Sequence, residues 1–591
     1  MSRDNDPATP GALLAEAVDA YARGDLRATR SKSRLILIEL PAHADAWRLA
    51  AYAHLGEGPA VGLGMLERAA AARPDSPDTW NDIASVAQRI ANPLAAVRAL
   101  RRATALDPGA SGRWRDLGVA LSSLGGDGTG PLYRSLALAD DDGSTLRALA
   151  EALLARDEID AARRHACQAL LLLPADAGSW LVLGLQAHRG QSSRDADRAF
   201  RRAGTIVPEM ASAWHNLALV ASAAGDFPGT DRGLRRALAA EPAFAHSLLL
   251  SGNRRIEVGD TSGASVRFRR VQAVARDFPE ATLNLSMITL LDGDCAAGWR
   301  GFSARWRCAS HRHFRPTPGA RAWDGRVDRA ARLVLRAEPE QALGDTIQFA
   351  RFIPSAAERV STVIVECAHT LHGLIGRMPG VSRVIDIGSD PGTVDLSCGL
   401  MELGAIFAPT LAALPFAASY LAPDPTAVAA WALQIDDLPQ PRIGICWRGN
   451  PRFRMDRHRS PGYAAVSPLL RIAGPHLLSL VLDRREEEPL PDGMADPMPL
   501  VSDMFDTAAL ISTLDLVITS DTAIAHLSGA LGRPTWVLLH EPPDWRWLRD
   551  RTDSPWYPSV RLFRQPSPGD WSAVIVKVIE MLDASFPIRR Q

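Results

Sequence analysis

The chain is 591 residues long, 47% hydrophobic and 23% charged, with a formal net charge of -1. It is too long for one core, so two to four domains are expected, and the composition is that of a soluble globular protein. The even charge balance leaves no global field to draw nucleic acid or an anionic membrane, and neither is expected as a partner. Arginine carries nearly all the positive charge, with Lys32 and Lys577 the only lysines. Any clamp on a phosphate or carboxylate must therefore use Arg, backbone N–H groups or hydroxyls. Six cysteines without paired spacing suit a reducing compartment better than a disulfide framework. The start, MSRDNDPATP, lacks the basic residues and apolar run of a signal peptide, and no apolar run reaches the ~18 residues of a membrane span. A cytoplasmic protein is expected, with residues 1–9 as a disordered tail.

The next stretch is periodic. Pro41, Pro74, Pro108, Pro174, Pro208 and Pro242 lie 33, 34, 66, 34 and 34 residues apart. The long gap is two periods, and DDGSTLRALAEALL fills the missing repeat without its proline. Trp47, Trp80, Trp114, Trp180 and Trp214 each follow one of these prolines by six residues. In the best copy, Leu183, Gly184 and Ala187 share one helical face, Ala196, Phe200 and Ala203 share a second, and Pro208 ends that helix. Small residues let two antiparallel helices approach closely, a large one fills the gap, and proline stops the second helix. The layout resembles the tetratricopeptide repeat (TPR) over roughly residues 10 to 290, and residues 10–307 are assigned to an α-solenoid on that basis. A single repeat cannot bury its face, so the copies stack and leave a concave groove. That groove is read as a docking surface for a protein or peptide; a spacer or dimerisation arm is the alternative.

GDCAAGWRGFSARWRCASHRHFRPTPGARAWDG, residues 293 to 325, breaks the rhythm, and residues 308–331 are read as a linker. Cys308, His311 and His313 fit no common zinc spacing and have no second ligand pair, so no metal is expected there. Trp299 and Trp306 are expected to pack the last helix against the next domain.

From Arg332 onward short apolar strands alternate with amphipathic helices. RLVLRAE, TVIVECA, RVIDIG and VDLSC read as strands, with GDTIQFARFIPSAAERV and HTLHGLIGRM as helices between them. A Pro-rich passage, LAPDPTAVAAWALQIDDLPQP, separates a second set: RIGICWRG, HLLSLVL, the helix DTAALISTL, DLVITS, the helix TAIAHLSGAL and PTWVLL. This alternation predicts parallel βαβ units. The fold class is α + α/β: a solenoid followed by two Rossmann-like halves, 332–430 and 431–591. Ligands bind such sheets at the carboxyl ends of the strands, which here means the cleft between the halves.

Three polar clusters fall at those ends. In LGDTIQFARF, Gly344 permits a tight turn and Asp345 lies near a helix N-terminus. It can serve as a cap or as a general base for an acceptor hydroxyl. In CWRGNPRFRMDRHRSP, Arg448, Arg452, Arg454, Arg457 and Arg459 surround a Gly-Asn-Pro loop, forming either a solvated basic loop or an anion site. In SDTAIAHLSGALGRP, Asp521 and Thr522 open a helix whose free N–H groups can hold an anion. His526 lies one turn on, which capping does not require.

At these motifs the sequence resembles the glycosyltransferase family that includes the bacterial heptosyltransferases (glycosyltransferase family 9-like). The stretch PPDWRWLRDRTDSPWYPSVRLFRQP followed by DWSAVI resembles the branch fused to TPR arrays. The resemblance covers about residues 332 to 587. It implies a GT-B fold, a nucleotide-sugar co-substrate held mainly by the C-terminal half, and neither metal nor cofactor. It makes Asp345 the catalytic base. It places Arg448, Asn450, Ser520, Asp521, Thr522, His526 and Asp544 around the donor nucleotide and phosphates, with Trp545 and Trp547 as pocket or packing residues. There are departures. AEPEQALGD replaces the more usual AEQGLGD, two residues longer and with Ala342 for a glycine. HLLSLVLDRR lacks a Gln that often follows Ser-Leu there, and the family's lysine near the phosphates is absent. Arg is the substitute, and it is not equivalent to Lys as a phosphate ligand. The implied activity is sugar transfer to Ser or Thr hydroxyls of a protein on the array, with flagellin as one acceptor. A lipopolysaccharide heptosyltransferase and a non-catalytic scaffold are the rivals.

Overall fold

The computed structural model describes residues 9–309, 317–338, 343–415, 419–451, 453, 455–482, 484 and 487–586. The tail before Thr9, His311 and His313, the altered loop at 339–342, and Arg452 and Arg454 lie outside them. The chain forms two compact units, Met1–Phe244 and Ala245–Gln591.

The first unit is a run of helix pairs from Pro10–Ala22 to Phe227–Ala240, with the period read from the prolines. The structure explains the fixed Pro-to-Trp interval. The indole Nε1 donates to the proline carbonyl six residues earlier, from Trp47 to Pro41 at 2.7 Å, Trp80 to Pro74 at 2.9 Å, Trp114 to Pro108 at 3.0 Å, Trp180 to Pro174 at 3.3 Å and Trp214 to Pro208 at 2.9 Å. Each bond ties one helix to the turn that precedes it. Asp142 caps the proline-free repeat by accepting from the Ser144 N–H, and Gly143–Ala155 is helical as expected. Close approach explains the small residues: a Cβ on Gly184 would stand 2.4 Å from the Phe200 ring.

The second unit begins with two more helix pairs, Ala245–Glu257 with Thr261–Val274, and Pro279–Leu291 with Cys295–Phe302. These helices lie inside the 10–307 range assigned to the solenoid, and the stretch from residue 293 onward carries one more helix before the rhythm ends. Trp299 donates to the Ala408 carbonyl at 3.0 Å and meets Phe349 and Trp545 edge-on. Trp306 donates to Glu402. Both tryptophans join these helices to the sheets, as expected.

Two five-stranded sheets follow. The first comprises β1 (Arg321–Ala322), β2 (Asp328–Arg336), β3 (Val360–Cys367), β4 (Val381–Asp386) and β5 (Leu396–Gly399), in the order β1-β5-β2-β3-β4. The second comprises β6 (Ile443–Cys446), β7 (Leu477–Ser479), β8 (Leu516–Ser520), β9 (Thr535–Leu539) and β10 (Val560–Arg564), in the order β10-β9-β8-β6-β7. Every strand pair is parallel. Parallel strands are covered on both faces, which is why β6, β8 and β9 are buried at every residue. The chain reverses its direction of travel across the first sheet between β2 and β5, and across the second between β6 and β8. Such switch points open a crevice at the strand ends. The segment after β3 differs from its expected single helix: only His369–Leu371 and His372–Ile375 form short turns. GDTIQFARFIPSAAERV is likewise two helices, Leu343–Ala350 and Ile353–Ala357, because Pro354 cannot donate to the preceding turn. Among the described residues, no helix is long and apolar enough to cross a membrane.

Candidate functional site

The carboxyl ends of β6, β8 and β9 open on a cavity of about 1260 Å³. Of the eight residues singled out in the sequence, Asp345, Arg448, Asn450, Asp521, Thr522, His526 and Asp544 line it. The three motifs and the PPDWRW stretch after β9 thus meet in one cavity. Ser520 does not join them: it is the last residue of β8 and fully buried, beneath the turn rather than on the cavity surface. One side is apolar, with Leu480, Val481, Met498, Val501 and Met504. A third wall was not foreseen. Asn253, Ile256, Glu257, Thr261 and Met287, all from the helix pairs at the start of this unit, also line the cavity.

Asp345 occupies the first turn of the Leu343–Ala350 helix. Its carboxylate pairs with Arg546, whose guanidinium also holds Asp544 at 2.7 Å and the Gln348 side chain. Arg546 itself is buried, with its guanidinium carbon 4.4 Å from the Trp545 ring centroid. Burial pushes the Asp345 carboxyl up; Arg546 opposes that shift, and Glu338 and Asp544 add to it. Burial alone would lower the Arg546 pKa, but Asp345 and Asp544 outweigh it and raise the group, so it stays charged. Sequence reasoning missed Arg546 because it stood between two tryptophans and the aromatic reading took precedence. Its signal was a lone cation in an otherwise apolar WRW just past a strand end.

Thr522 occupies the N-cap position of the Ala523–Ala530 helix without capping it: its hydroxyl bonds that of Thr519 at 3.1 Å instead. The Thr522 side chain therefore does not cap the helix it opens, and its hydroxyl is taken up at the strand end instead. Asp521 is buried, and its carboxyl is pushed up to about 6, first by burial and then by Asp544. His526 is buried beside it, with Nδ1 2.9 Å from the Tyr557 hydroxyl, Nε2 4.0 Å from Asp521 and its ring stacked on Trp547 at 5.5 Å. Burial, then Arg546, Arg351 and Arg459, push its pKa well down, so the imidazole is neutral near pH 7. A neutral imidazole orients a neighbour or donates a hydrogen bond rather than supplying charge. Gly344 explains how two motifs meet: a Cβ there would lie 2.7 Å from His526 Cδ2. Only glycine lets the LGD turn lie against that ring.

The arginine loop splits. Arg448 and Arg459 face the cavity. Arg448 Nη2 is buried without a hydrogen-bond partner among the described residues, which makes it a donor available to an anion. Arg459 is held at 3.1 Å by Asp456. Arg457 turns away to Glu257, 3.7 Å distant on the first helix of this unit. Gly449 is required where it stands, because a Cβ would meet Asp456 at 2.5 Å. Trp547 is fully buried, and Trp545 lines the cavity while packing on Trp299, so the two tryptophans serve mainly as packing.

No family model matches the chain. It is 27% identical over 337 residues to Protein FlbA of Caulobacter vibrioides, covering 52% of this chain and 54% of that protein. The chain thus spans about half the length of that curated relative. Among solved structures it is similar to the human IFIT1 dimer with m7Gppp-AAAA (TM-score 0.38, 15% identity, 52% of this chain and 81% of that one). It is also similar to the APC/C hetero-tetramer Cut9-Hcn1 (TM-score 0.35, 16% identity, 48% and 56%) and to Pseudomonas aeruginosa pilF (TM-score 0.31, 16% identity, 35% and 96%).

Proposed function

We infer that the protein is a metal-independent glycosyltransferase of the GT-B type. It would move a sugar from a nucleotide-activated donor to a Ser or Thr hydroxyl of a protein docked on the helical array. The observation that supports this reading best is the meeting of seven sequence-selected residues from separate segments around one cavity. The cavity exceeds the ~300–1,000 Å³ of a typical small-molecule site, leaving room for a donor and part of an acceptor. In this scheme the acceptor O–H gives its proton to Asp345 as its oxygen attacks the anomeric carbon. The bond from that carbon to the phosphate oxygen breaks, and the phosphate leaves with the electron pair. Its charge is met by Arg448, Arg459 and the free N–H groups at the start of the Ala523–Ala530 helix. Asp345 must exchange its Arg546 partner for the hydroxyl as the acceptor enters. Array helices at the cavity favour a protein acceptor, because the wall that receives it continues the repeat pattern. Flagellin is the acceptor that the family resemblance suggests.

A scaffold without activity draws on one observation: the proposed base is already engaged by Arg546. The decisive test is acceptor glycosylation in cells carrying Asp345→Asn or His526→Ala. Loss in both supports the enzyme, and wild-type glycan mass in both rejects it. Intact lipopolysaccharide together with lighter flagellin in the null strain excludes the lipopolysaccharide heptosyltransferase reading. Thermal shift against CMP-, UDP-, GDP- and ADP-sugars identifies the donor, since a ligand raises stability by mass action.

A further inference from the structure

The geometry points to a divalent metal site formed by His369, His372 and Asp386, taking a borderline ion such as Zn2+. The strands bring the three together. β3 ends at Cys367, which pairs in register with Asp386, the last residue of β4. The chain then makes a tight turn that carries His369 and His372 back over that strand end. His369 Nδ1 lies 3.1 Å and His372 Nε2 3.4 Å from the same Asp386 oxygen. One ligand atom from each residue falls within 4.8 Å of the other two. Metal bonds of about 2.0–2.1 Å put neighbouring ligands of a tetrahedral ion ~3.4 Å apart. Both nitrogen-to-oxygen edges are already near that length, and the third closes by rotation of His369, whose side chain is 83% exposed.

Two observations go beyond the clustering. His372 Nε2 is buried and has no hydrogen-bond partner among the described residues. It faces the carboxylate at a ligand-to-ligand distance instead of a hydrogen-bonding one. The neighbouring Glu366 carboxylate is already held by Arg336 at 2.7 Å and by the Gly388 N–H at 3.0 Å. The donor set is therefore two imidazoles and one carboxylate, with a position left for water. That set suits Zn2+, Co2+ or Ni2+ and disfavours Mg2+ and Ca2+, which take oxygen ligands. The ion would be structural. It would pin the turn between β3 and β4, and with it Thr370, which lies between the two histidines in sequence and lines the cavity.

The test uses the untagged full chain, stripped with a chelator, dialysed and titrated with Zn2+ by calorimetry and with Co2+ by visible absorption. We expect one ion per chain, cobalt bands of imidazole ligation, and no heat with Mg2+. His369→Ala, His372→Ala and Asp386→Ala should each weaken binding about tenfold or more. The exposed His369 keeps this falsifiable, since its removal leaves the fold measurable by circular dichroism. The proposal fails if the wild type takes up no ion. It fails equally if His369→Ala and Asp386→Ala bind as tightly as the wild type, which would place the ion on other histidines of the chain.

Discussion

A methyl group on residue 344 would press on His526 at 2.7 Å, so Gly344→Ala is a direct test of how tightly the two motifs depend on each other. The ring cannot retreat, because Trp547 stacks behind it and Tyr557 holds its Nδ1. We expect the variant to lose roughly 1–3 kcal/mol, the cost of overpacking, and to weaken nucleotide-sugar binding in thermal shift. Unchanged stability and binding would show that the contact is slack. Asp521 supplies a pH signature. Its folded carboxyl titrates at about 6 against ~3.9 in an unfolded chain. The charged form therefore costs stability: nothing below the unfolded value, more as the pH rises to 6, and a constant amount above it. Asp521→Asn should stabilise the protein by on the order of 2 kcal/mol at pH 8 and little at pH 4, read from denaturant midpoints. A gain of the same size at both values would refute the assignment. The same carboxylate repels a phosphate, so wild-type affinity for a nucleotide-sugar should rise as the pH falls through 6, with a flatter profile in the variant. His540, pushed down to about 4 by burial, stays neutral across that window. Asp521, Thr522 and His526 could be picked out from sequence because polar residues interrupted an apolar passage at a strand end. Arg546 was hidden because its value lies in Asp345, 201 residues away in the chain, and no local pattern encodes that partner.

Helix pairing depends on a second glycine lock that repeats the first. Gly252 would meet the Phe268 ring at 2.4 Å, as Gly184 meets Phe200. The ring of one helix fills the space that the other vacates, so the spacing of small and large residues was readable before the fold was known. Gly252→Ala should lower stability by roughly 1–3 kcal/mol, visible as an earlier unfolding midpoint. The change lies within the helix that carries Asn253 and Glu257 to the cavity, so it should also weaken donor or acceptor binding. Gly184→Ala, in the other compact unit, should lower stability alone. Equal binding loss in the two would separate the effect from the cavity wall. Eight of the ten described strands were equally legible as short apolar runs; β1, inside the 308–331 stretch read as a linker, and β10 were not read. Short turns were not: HTLHGLIGRM carries a helical pattern, yet it has to bend over the end of β3, and the sequence does not record that constraint.

At the scale of the whole molecule, repetition and compactness divide the chain at different places. The helical period runs on to the junction, yet the compact unit begins at Ala245 and includes the last two helix pairs. Side-chain contacts explain why. Trp299 and Phe302 sit in the same buried cluster as Leu333, Phe349 and Trp545, and Arg549 reaches Asp292 at 2.5 Å and the Thr261 hydroxyl at 2.9 Å. Arg457 and Glu257 add a link between the arginine loop and the first of these helices. Periodicity reports the shape of each repeat but not the partner its outer face is buried against, so sequence alone placed the boundary after residue 307. The two divisions predict different outcomes on truncation. A chain beginning at Ala245 should fold, melt in one cooperative transition and bind the same nucleotide-sugar as the full chain, because every cavity-lining residue is retained. A chain beginning at Cys308 loses Trp299, Phe302 and the Asn253–Met287 wall. It exposes apolar surface on Phe349 and Trp545 that costs about 25 cal/mol per Å², and it should aggregate or melt far lower and fail to bind. If the shorter chain binds the nucleotide-sugar as well as the longer, the array helices contribute nothing to the donor side of the cavity. If neither binds while the full chain does, the division at Ala245 does not mark an independently folding unit.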